Sequence, residues 1–174
     1  MVVLICGFMG AGKTTFLKHL QSKSGIQTTY LDLDQVIFEK HGADKKNLSQ
    51  VIEQIGFEKF RDIEISTLKT IIKSSSSTND TFISLGGGTI TDELIELKNK
   101  KDNCFLVWLN TPLATCLERI KGDDSRPMTL KGPKYLKELY QQREKYYQMA
   151  DICLYASSKD MVWTVKSLKE RLLS

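Results

Sequence analysis

Cysteine is scarce in this chain and carries no paired spacing. The four cysteines, at positions 6, 104, 116 and 153, include no C-x-x-C pair and no dense pattern. Disulfide frameworks are typical of oxidising compartments, so we expect reduced thiols and a cytoplasmic protein. Cys6, Cys104 and Cys153 fall in short apolar runs, where we interpret them as small core side chains rather than reactive thiols.

Long hydrophobic runs are also absent. The opening apolar run, Val2–Cys6, is five residues long, whereas the core of a signal peptide needs about 7–15 residues. No stretch of the sequence approaches the roughly 18 apolar residues of a membrane-spanning helix. We therefore expect no membrane partner.

Charge of one sign is not in large excess. The 25 basic and 21 acidic residues leave a net charge of +4, and no arginine-rich stripe with interleaved aromatic residues indicates nucleic-acid binding. The 174 residues are 41% hydrophobic and 26% charged, with no internal repeat. This composition is typical of one globular domain, which we place at residues 1–174.

The chain does contain a series of short apolar runs bounded by turn residues, and segments with helical spacing lie between them. Strands that alternate with helices predict right-handed crossovers and a parallel sheet covered by helices on both faces, which is an α/β fold of three layers. The predicted strands are Val2–Cys6, Thr28–Leu31, Thr81–Leu85, Cys104–Leu109 and Ile152–Tyr155.

The segment Gly7–Thr14 matches the phosphate-binding pattern G-x-x-x-x-G-K-[ST] in full. It follows a predicted strand and precedes a helical segment, where inward-pointing N–H groups and a helix N-terminus bind phosphate. Lys13 would reach the β- and γ-phosphates, and the Thr14 hydroxyl would hold Mg²⁺. The spacing differs from the G-x-G-x-x-G of dinucleotide sites, so we predict binding of a nucleoside triphosphate.

A GTPase is not indicated, because no D-x-x-G switch is present. Asn99–Asp102 matches the guanine-selecting pattern N-K-x-D, but it precedes a predicted strand instead of following one. We interpret this segment as a lysine-rich turn at a helix end.

Two carboxylates, Asp32 and Asp34, follow the second predicted strand. Ligands of open α/β sheets bind at the carboxyl ends of the strands, which places this pair beside the phosphate loop. One carboxylate could orient Mg²⁺ through water while the other accepts a hydrogen bond from an attacking hydroxyl. A helix N-cap is the alternative for Asp34, because a helical run begins at Val36.

Charged residues interrupt the apolar faces of two predicted helices. Arg61 and Glu64 fall within the stripe of the helix at 57–73, and Arg143 falls within the stripe of a later helix. A buried arginine requires an anionic partner, and its planar fork matches a carboxylate. Periodicity alone leaves two interpretations open, a ligand site or an internal salt bridge between Arg61 and Glu64.

Glycines also mark two segments after the phosphate loop. Gly86–Gly88 follow the third predicted strand, where the backbone can approach a ligand closely, although a flexible turn is the alternative. Residues 121–134 contain Gly122, Gly132 and two of the three prolines. This composition predicts a long loop, either a lid or a plain surface loop, that ends where Pro133 can begin a helix.

Together these motifs resemble the shikimate kinase family along nearly the whole chain. The resemblance rests, in order, on the loop at 8–15, Asp32-x-Asp34, Phe60-Arg61 with Glu64, Gly86–Gly88, Arg126-Pro127, and Arg143 with Tyr147.

The resemblance implies a P-loop NTPase-like fold with a five-stranded parallel sheet of order 2-3-1-4-5, flanked by helices. It also implies a mobile lid at about 119–134 and a substrate-binding subregion at about 33–73. The implied reaction moves the γ-phosphoryl of MgATP to the 3-hydroxyl of shikimate, in the pathway to aromatic amino acids.

Residue roles follow from matching positions. Catalytic roles are implied for Lys13, Asp34 and Arg126, and metal binding for Thr14 and Asp32. Nucleotide binding is implied for Gly10, Ala11, Gly12, Lys13, Thr14, Thr15, Arg119 and Arg126. Substrate binding is implied for Asp34, Arg61, Glu64, Gly86, Gly87, Gly88 and Arg143.

Among these, Asp34 is the candidate base, Glu64 would orient Arg61, Arg126 would close over the transferring phosphate, and Arg119 would lie against adenine. Met128-Thr129 stand where the family commonly has two leucines.

Two other functions stay open. One is a related kinase of another hydroxylated acid, such as a gluconate kinase, and the other is a nucleotide-binding regulatory module without turnover. Only one group of residues, taken together, distinguishes a shikimate kinase from such a related kinase in this sequence: Asp34, Arg61, the three glycines and Arg143. The partners we expect are ATP, Mg²⁺ and shikimate, bound by a monomer.

Overall fold

A computed structural model describes residues 1–23, 28–42, 44–75, 79–122, 128, 131–155 and 163–174. Within these ranges the strands are β1 (Val2–Cys6), β2 (Thr28–Asp32), β3 (Asp80–Ser84), β4 (Cys104–Asn110) and β5 (Ile152–Tyr155). The helices are α1 (Lys13–Ser22), α2 (Leu33–His41), α3 (Leu48–Ile55), α4 (Phe57–Ser74), α5 (Asp92–Asn99), α6 (Leu113–Ile120), α7 (Gly132–Tyr147) and α8 (Val165–Leu172).

The five strands form one parallel sheet in the order β2-β3-β1-β4-β5. The strand order implied by the family resemblance is therefore confirmed. Each of the five apolar runs forms a strand, and each predicted end lies within one residue of the observed one.

Helices cover both faces of the sheet because its strands are apolar on both sides. In the central strand β1, Val2 and Leu4 face one core and Val3 and Ile5 face the other, as the two-residue repeat of a strand requires. The first core is closed by side chains from α2, α4, α5, α6 and α7, and the second by α1 and α8. The predicted three-layer α/β fold is confirmed.

The prediction for the cysteines is confirmed in two of three strands and wrong in the third. Cys6 and Cys104 are buried, whereas Cys153 is exposed. The reason is the position of β5, which pairs only with β4 and forms the edge of the sheet. Its residues alternate between the core and the outer surface, and Cys153 takes an outward position.

The central part of the expected lid lies outside the described residues, which omit 123–127 and 129–130. The helix predicted to begin near Pro133 is present as α7, with proline in its first turn. No helix in the described part of the chain is long and apolar enough to cross a membrane.

Parallel strands bring their carboxyl ends to one edge of the sheet. The glycine-rich loop follows β1, Asp32 ends β2, Gly86–Gly88 follow β3, and Thr111 follows β4. Residues that are far apart in sequence therefore meet at this edge, as expected for a ligand site of an open α/β sheet.

Candidate active site

The loop between β1 and α1 has the backbone of a phosphate cradle. Gly7, Gly10 and Gly12 have positive φ angles of 148°, 80° and 93°. Residues other than glycine rarely adopt such angles. A Cβ atom on Gly10 would also lie 2.5 Å from the carbonyl oxygen of Cys116. The loop is closed by the N–H of Ala11, which donates to the Phe8 carbonyl at 3.0 Å.

Lys13 begins α1 and its side chain folds back across this loop. Its Nζ donates to the carbonyl oxygens of Gly7 at 2.9 Å and Phe8 at 3.2 Å. The ammonium group therefore lies at the cradle, where a phosphate can replace carbonyl oxygens as its acceptor. Thr15 is the third residue of α1 and is exposed.

Thr14 and Asp32 are joined directly, since the Thr14 Oγ1 donates to Oδ2 of Asp32 at 2.8 Å. A hydroxyl and a carboxylate beside a phosphate cradle are the oxygen donors that Mg²⁺ prefers, with waters and substrate phosphates completing the coordination. The described residues contain no cluster of three or more His, Cys, Asp or Glu side chains that could hold a metal alone. The two residues thus fit a Mg²⁺ ion that arrives with a nucleotide.

Asp32, and not Asp34, is the N-cap of α2. Its Oδ1 accepts the backbone N–H of Asp34 at 3.1 Å, so each of its carboxylate oxygens has a separate partner. The alternative interpretation of Asp34 as a helix cap is wrong, because Asp34 already lies in the first turn of α2. Its side chain instead lines the pocket described next.

The residues expected to bind substrate surround one pocket of about 290 Å³. The pocket opens beside the phosphate loop, because Met9 of that loop is part of its wall. The structure brings Asp34, Arg61, Glu64, Gly86, Gly87, Gly88 and Arg143 together here, from α2, α4, α7 and the loop after β3.

Glu64 is a buried carboxylate held between two donors. It is 1% exposed; Arg61 donates to its Oε2 and the Thr89 hydroxyl donates to its Oε1. Burial raises the pKa of the Glu64 carboxyl above its ordinary value, and Arg61 and Thr89 oppose that rise. The salt bridge between Arg61 and Glu64 is therefore present, yet Arg61 remains in the pocket wall with 32% of its side chain exposed.

Arg143 presents its guanidinium group to the same pocket. Its Nη1 is buried and has no hydrogen-bond partner among the described residues, and its guanidinium lies 5.9 Å from the centre of the Phe8 ring. Burial lowers the pKa of Arg143, Tyr147 opposes this, and the nearby Arg61 adds to it. Buried donors are normally satisfied, so Nη1 is available for an acceptor that the described residues do not supply.

Crowding favours glycine at two of the three positions of the glycine run, Gly86 and Gly88. A Cβ atom on Gly86 would lie 2.7 Å from oxygen atoms of Asp34, Glu64 and Thr89. On Gly88 it would lie 2.7 Å from Nη2 of Arg143 and closer still to Arg61. The interpretation as a merely flexible turn is therefore insufficient, because functional side chains pack directly against this backbone.

The nucleotide side is completed from α6 and the end of β4. Nη1 of Arg119 donates to the carbonyl oxygen of Gly10 at 3.1 Å, so Arg119 lies against the cradle. Thr111 is buried, and its hydroxyl donates to the carbonyl of Ala11 at 2.9 Å. Arg126, expected over the transferring phosphate, lies outside the described residues.

Sequence reasoning missed two threonines of this site, Thr89 and Thr111. Both follow the carboxyl end of a strand, where loops face ligands, and that position is the signal that could have found them. Their burial and their hydrogen bonds depend on tertiary packing and leave no local pattern.

The chain is similar to proteins of known family. The family model for shikimate kinase matches residues 9–172. The shikimate kinase of Persephonella marina is 35% identical, over 98% of this chain and 98% of its own. The chain belongs to the shikimate kinase family. The shikimate kinase of Sulfurihydrogenibium sp. is 32% identical, over 90% of this chain and 89% of its own.

The fold is also similar to that of a solved structure. The crystal structure of shikimate kinase from Aquifex aeolicus has a TM-score of 0.77 at 25% identity, covering 99% of this chain and 96% of its own. Shikimate kinases are ATP-dependent phosphotransferases, and the family resemblance drawn from the motifs is confirmed.

Proposed function

We propose that this member of the shikimate kinase family transfers the γ-phosphoryl group of MgATP to the 3-hydroxyl of shikimate. The observation that carries the proposal is the buried Nη1 of Arg143, which lies in a pocket beside the phosphate cradle and has no partner within the described ranges. A carboxylate is the planar anion that an arginine fork binds best, and shikimate is a hydroxylated carboxylic acid. The relatives' names support this choice of substrate.

On the nucleotide side, the backbone N–H groups of residues 10–15 would surround the β-phosphate at the positive end of α1. The Lys13 ammonium, now bound to two carbonyl oxygens of the loop, would turn to the β- and γ-phosphates. Thr14 and Asp32 would hold Mg²⁺, which neutralises the charge that develops on the phosphate oxygens. Arg119 would border the adenine side of the cradle.

On the acceptor side, Arg143 and Arg61 would bind the shikimate carboxylate, and Glu64 would keep Arg61 in place. The backbone of Gly86–Gly88 would lie against the ring. Asp34 would accept the hydrogen bond of the reacting hydroxyl and take its proton as the bond to phosphorus forms. We propose that Arg126 then covers the transferring phosphate and excludes water.

A coupled assay of ADP release tests this function. The purified protein with MgATP is offered shikimate, gluconate or no acceptor. ADP release that requires shikimate is expected, with shikimate 3-phosphate identified by mass spectrometry. ADP release with gluconate but not with shikimate would identify gluconate as the substrate. ATP binding without ADP release on either acid would favour a regulatory module.

We also propose that the enzyme acts as a cytoplasmic monomer. All four thiols are free, which agrees with a reducing compartment. Light scattering on a size-exclusion column tests the monomer.

A further inference from the structure

Thr89 is buried in the loop that joins β3 to α5, directly after the glycine run. It is 1% exposed, and its N–H donates to the carbonyl oxygen of Gly86 at 3.2 Å. Its hydroxyl donates to Oε1 of Glu64 across 25 residues of sequence. Thr89 therefore joins the loop that faces the substrate to the helix that carries Arg61.

Each carboxylate oxygen of Glu64 accepts a hydrogen bond from a different residue. Oε1 accepts from Thr89 and Oε2 accepts from Nη1 of Arg61. A carboxylate that holds only one donor can rotate about its last bond, whereas one held at both oxygens has a fixed plane. Because Arg61 binds to that plane, the Thr89 hydroxyl controls where the guanidinium lies in the pocket.

The charge of Glu64 depends on the same contact. The titratable groups that face it are Arg61 on its own helix α4 and Asp34 on α2, while Arg143 on α7 lies beside Arg61. Burial and Asp34 favour the neutral form of Glu64, and Arg61 and Thr89 favour the ionised form. Without the hydroxyl, a buried oxygen would lose its donor, which is costly for a charged group.

We propose that Thr89 is a positioning residue for the acid substrate, whose hydroxyl holds Glu64 so that Glu64 can hold Arg61. The inference rests on the proposed function, because it assigns the partner of Arg61 as the substrate carboxylate. Thr89 itself is buried and does not line the pocket, so we place it outside the group of residues that touch the substrate. Its effect should therefore appear in the binding of the acid and not in the binding of ATP.

Three variants test this role. Thr89→Val removes the donor and keeps the branched shape, Thr89→Ser keeps the donor, and Thr81→Val makes the same chemical change at a buried threonine at the start of β3. We expect Thr89→Val to raise the KM for shikimate about tenfold, with less than about a twofold change in the KM for ATP. Thr89→Ser and Thr81→Val should keep wild-type values of both constants.

A pH profile gives a readout that a purely structural role would not move. Loss of the hydroxyl donor raises the pKa of Glu64, so a higher pH is needed to ionise it. The acid limb of kcat/KM for shikimate should shift to higher pH in Thr89→Val and return in Thr89→Ser. If Thr89→Val does not fold, Thr89→Ala is measured by the same criteria.

Several results would overturn the inference. These are a wild-type KM for shikimate in Thr89→Val, an equal rise in Thr89→Val and Thr89→Ser, or a joint rise of both KM values. A wild-type protein that releases no ADP with shikimate would instead contradict the proposed function, and this inference with it.

Discussion

Replacing Arg143 by methionine is expected to weaken shikimate binding strongly while leaving the ligand-free fold intact. Nη1 of Arg143 has no partner among the described residues, and the side chain packs against Phe8. Methionine has a similar flexible chain and packs well against aromatic rings. It keeps this contact and removes a half-buried charge of which one nitrogen, Nη1, has no hydrogen-bond partner among the described residues.

The magnitude follows from the partner that is lost. Removing one member of a buried charge pair costs about 3–5 kcal/mol, and each 1.4 kcal/mol is roughly tenfold in affinity. Because Arg143 is half-buried, we expect the lower end, about 100-fold in the KM for shikimate. The free energy of unfolding should change by less than about 1 kcal/mol, or roughly 2–4 °C in Tm for a chain of this size.

The assay combines ADP release with calorimetry. KM is measured for shikimate and for ATP, and Tm is measured with and without shikimate. Arg171→Met on α8, an exposed arginine in the opposite layer, is the matched control. Equal rises in both KM values, or a ligand-free Tm far below that of the wild type, would refute the reasoning, since Arg143 would then act on the cradle or on the fold.

The remaining predictions concern the cradle and the glycine run. Lys13→Met should lower kcat by about 100-fold or more with an unchanged circular dichroism spectrum, and the exposed Lys18→Met on the same helix should not; near-normal kcat would contradict the cradle assignment. Asp32→Asn should keep its Tm, because asparagine caps helices as well as aspartate, but should need more Mg²⁺ for half-maximal activity; an unchanged Mg²⁺ requirement would exclude Asp32 from metal binding. Gly86→Ala should destabilise the fold in thermal melts, because its Cβ would lie 2.7 Å from three oxygen atoms, whereas Gly87→Ala, with its nearest atom at 3.5 Å, should be tolerated; equal effects would contradict the crowding argument.

Much of the fold could be predicted because its three inner strands are largely buried on both faces. Runs such as Val2–Cys6 and Cys104–Leu109 are apolar throughout, so they stand out from the polar segments around them. Strands that alternate with helices then allow few topologies. The phosphate loop was predictable because its glycines and lysine act through local backbone geometry, which a short sequence motif records.

Predictions based on local sequence were wrong where a residue's surroundings come from elsewhere in the chain. Cys153 has the same apolar neighbours as the buried cysteines, but it lies on an edge strand. Local sequence left a helix cap as the alternative for Asp34, whereas α2 begins at Leu33 and its N-cap is Asp32. Periodicity placed Arg61 and Glu64 on one face, but could not show that Thr89 shares the carboxylate.

The geometry at Gly88 explains why the pocket would favour an acid, independently of its contacts with the hydroxyl groups of the substrate. Arg61 from α4 and Arg143 from α7 meet at this glycine, whose missing side chain gives them room. Glu64 neutralises Arg61, but Arg143 lies beside Arg61, and its buried Nη1 has no hydrogen-bond partner in the part of the chain that the structure describes. An entering carboxylate would relieve both the repulsion and the missing hydrogen bond, whereas a neutral polyol of the same shape would relieve neither. Selection for an acid would therefore come from an electrostatic cost that the ligand-free pocket already carries.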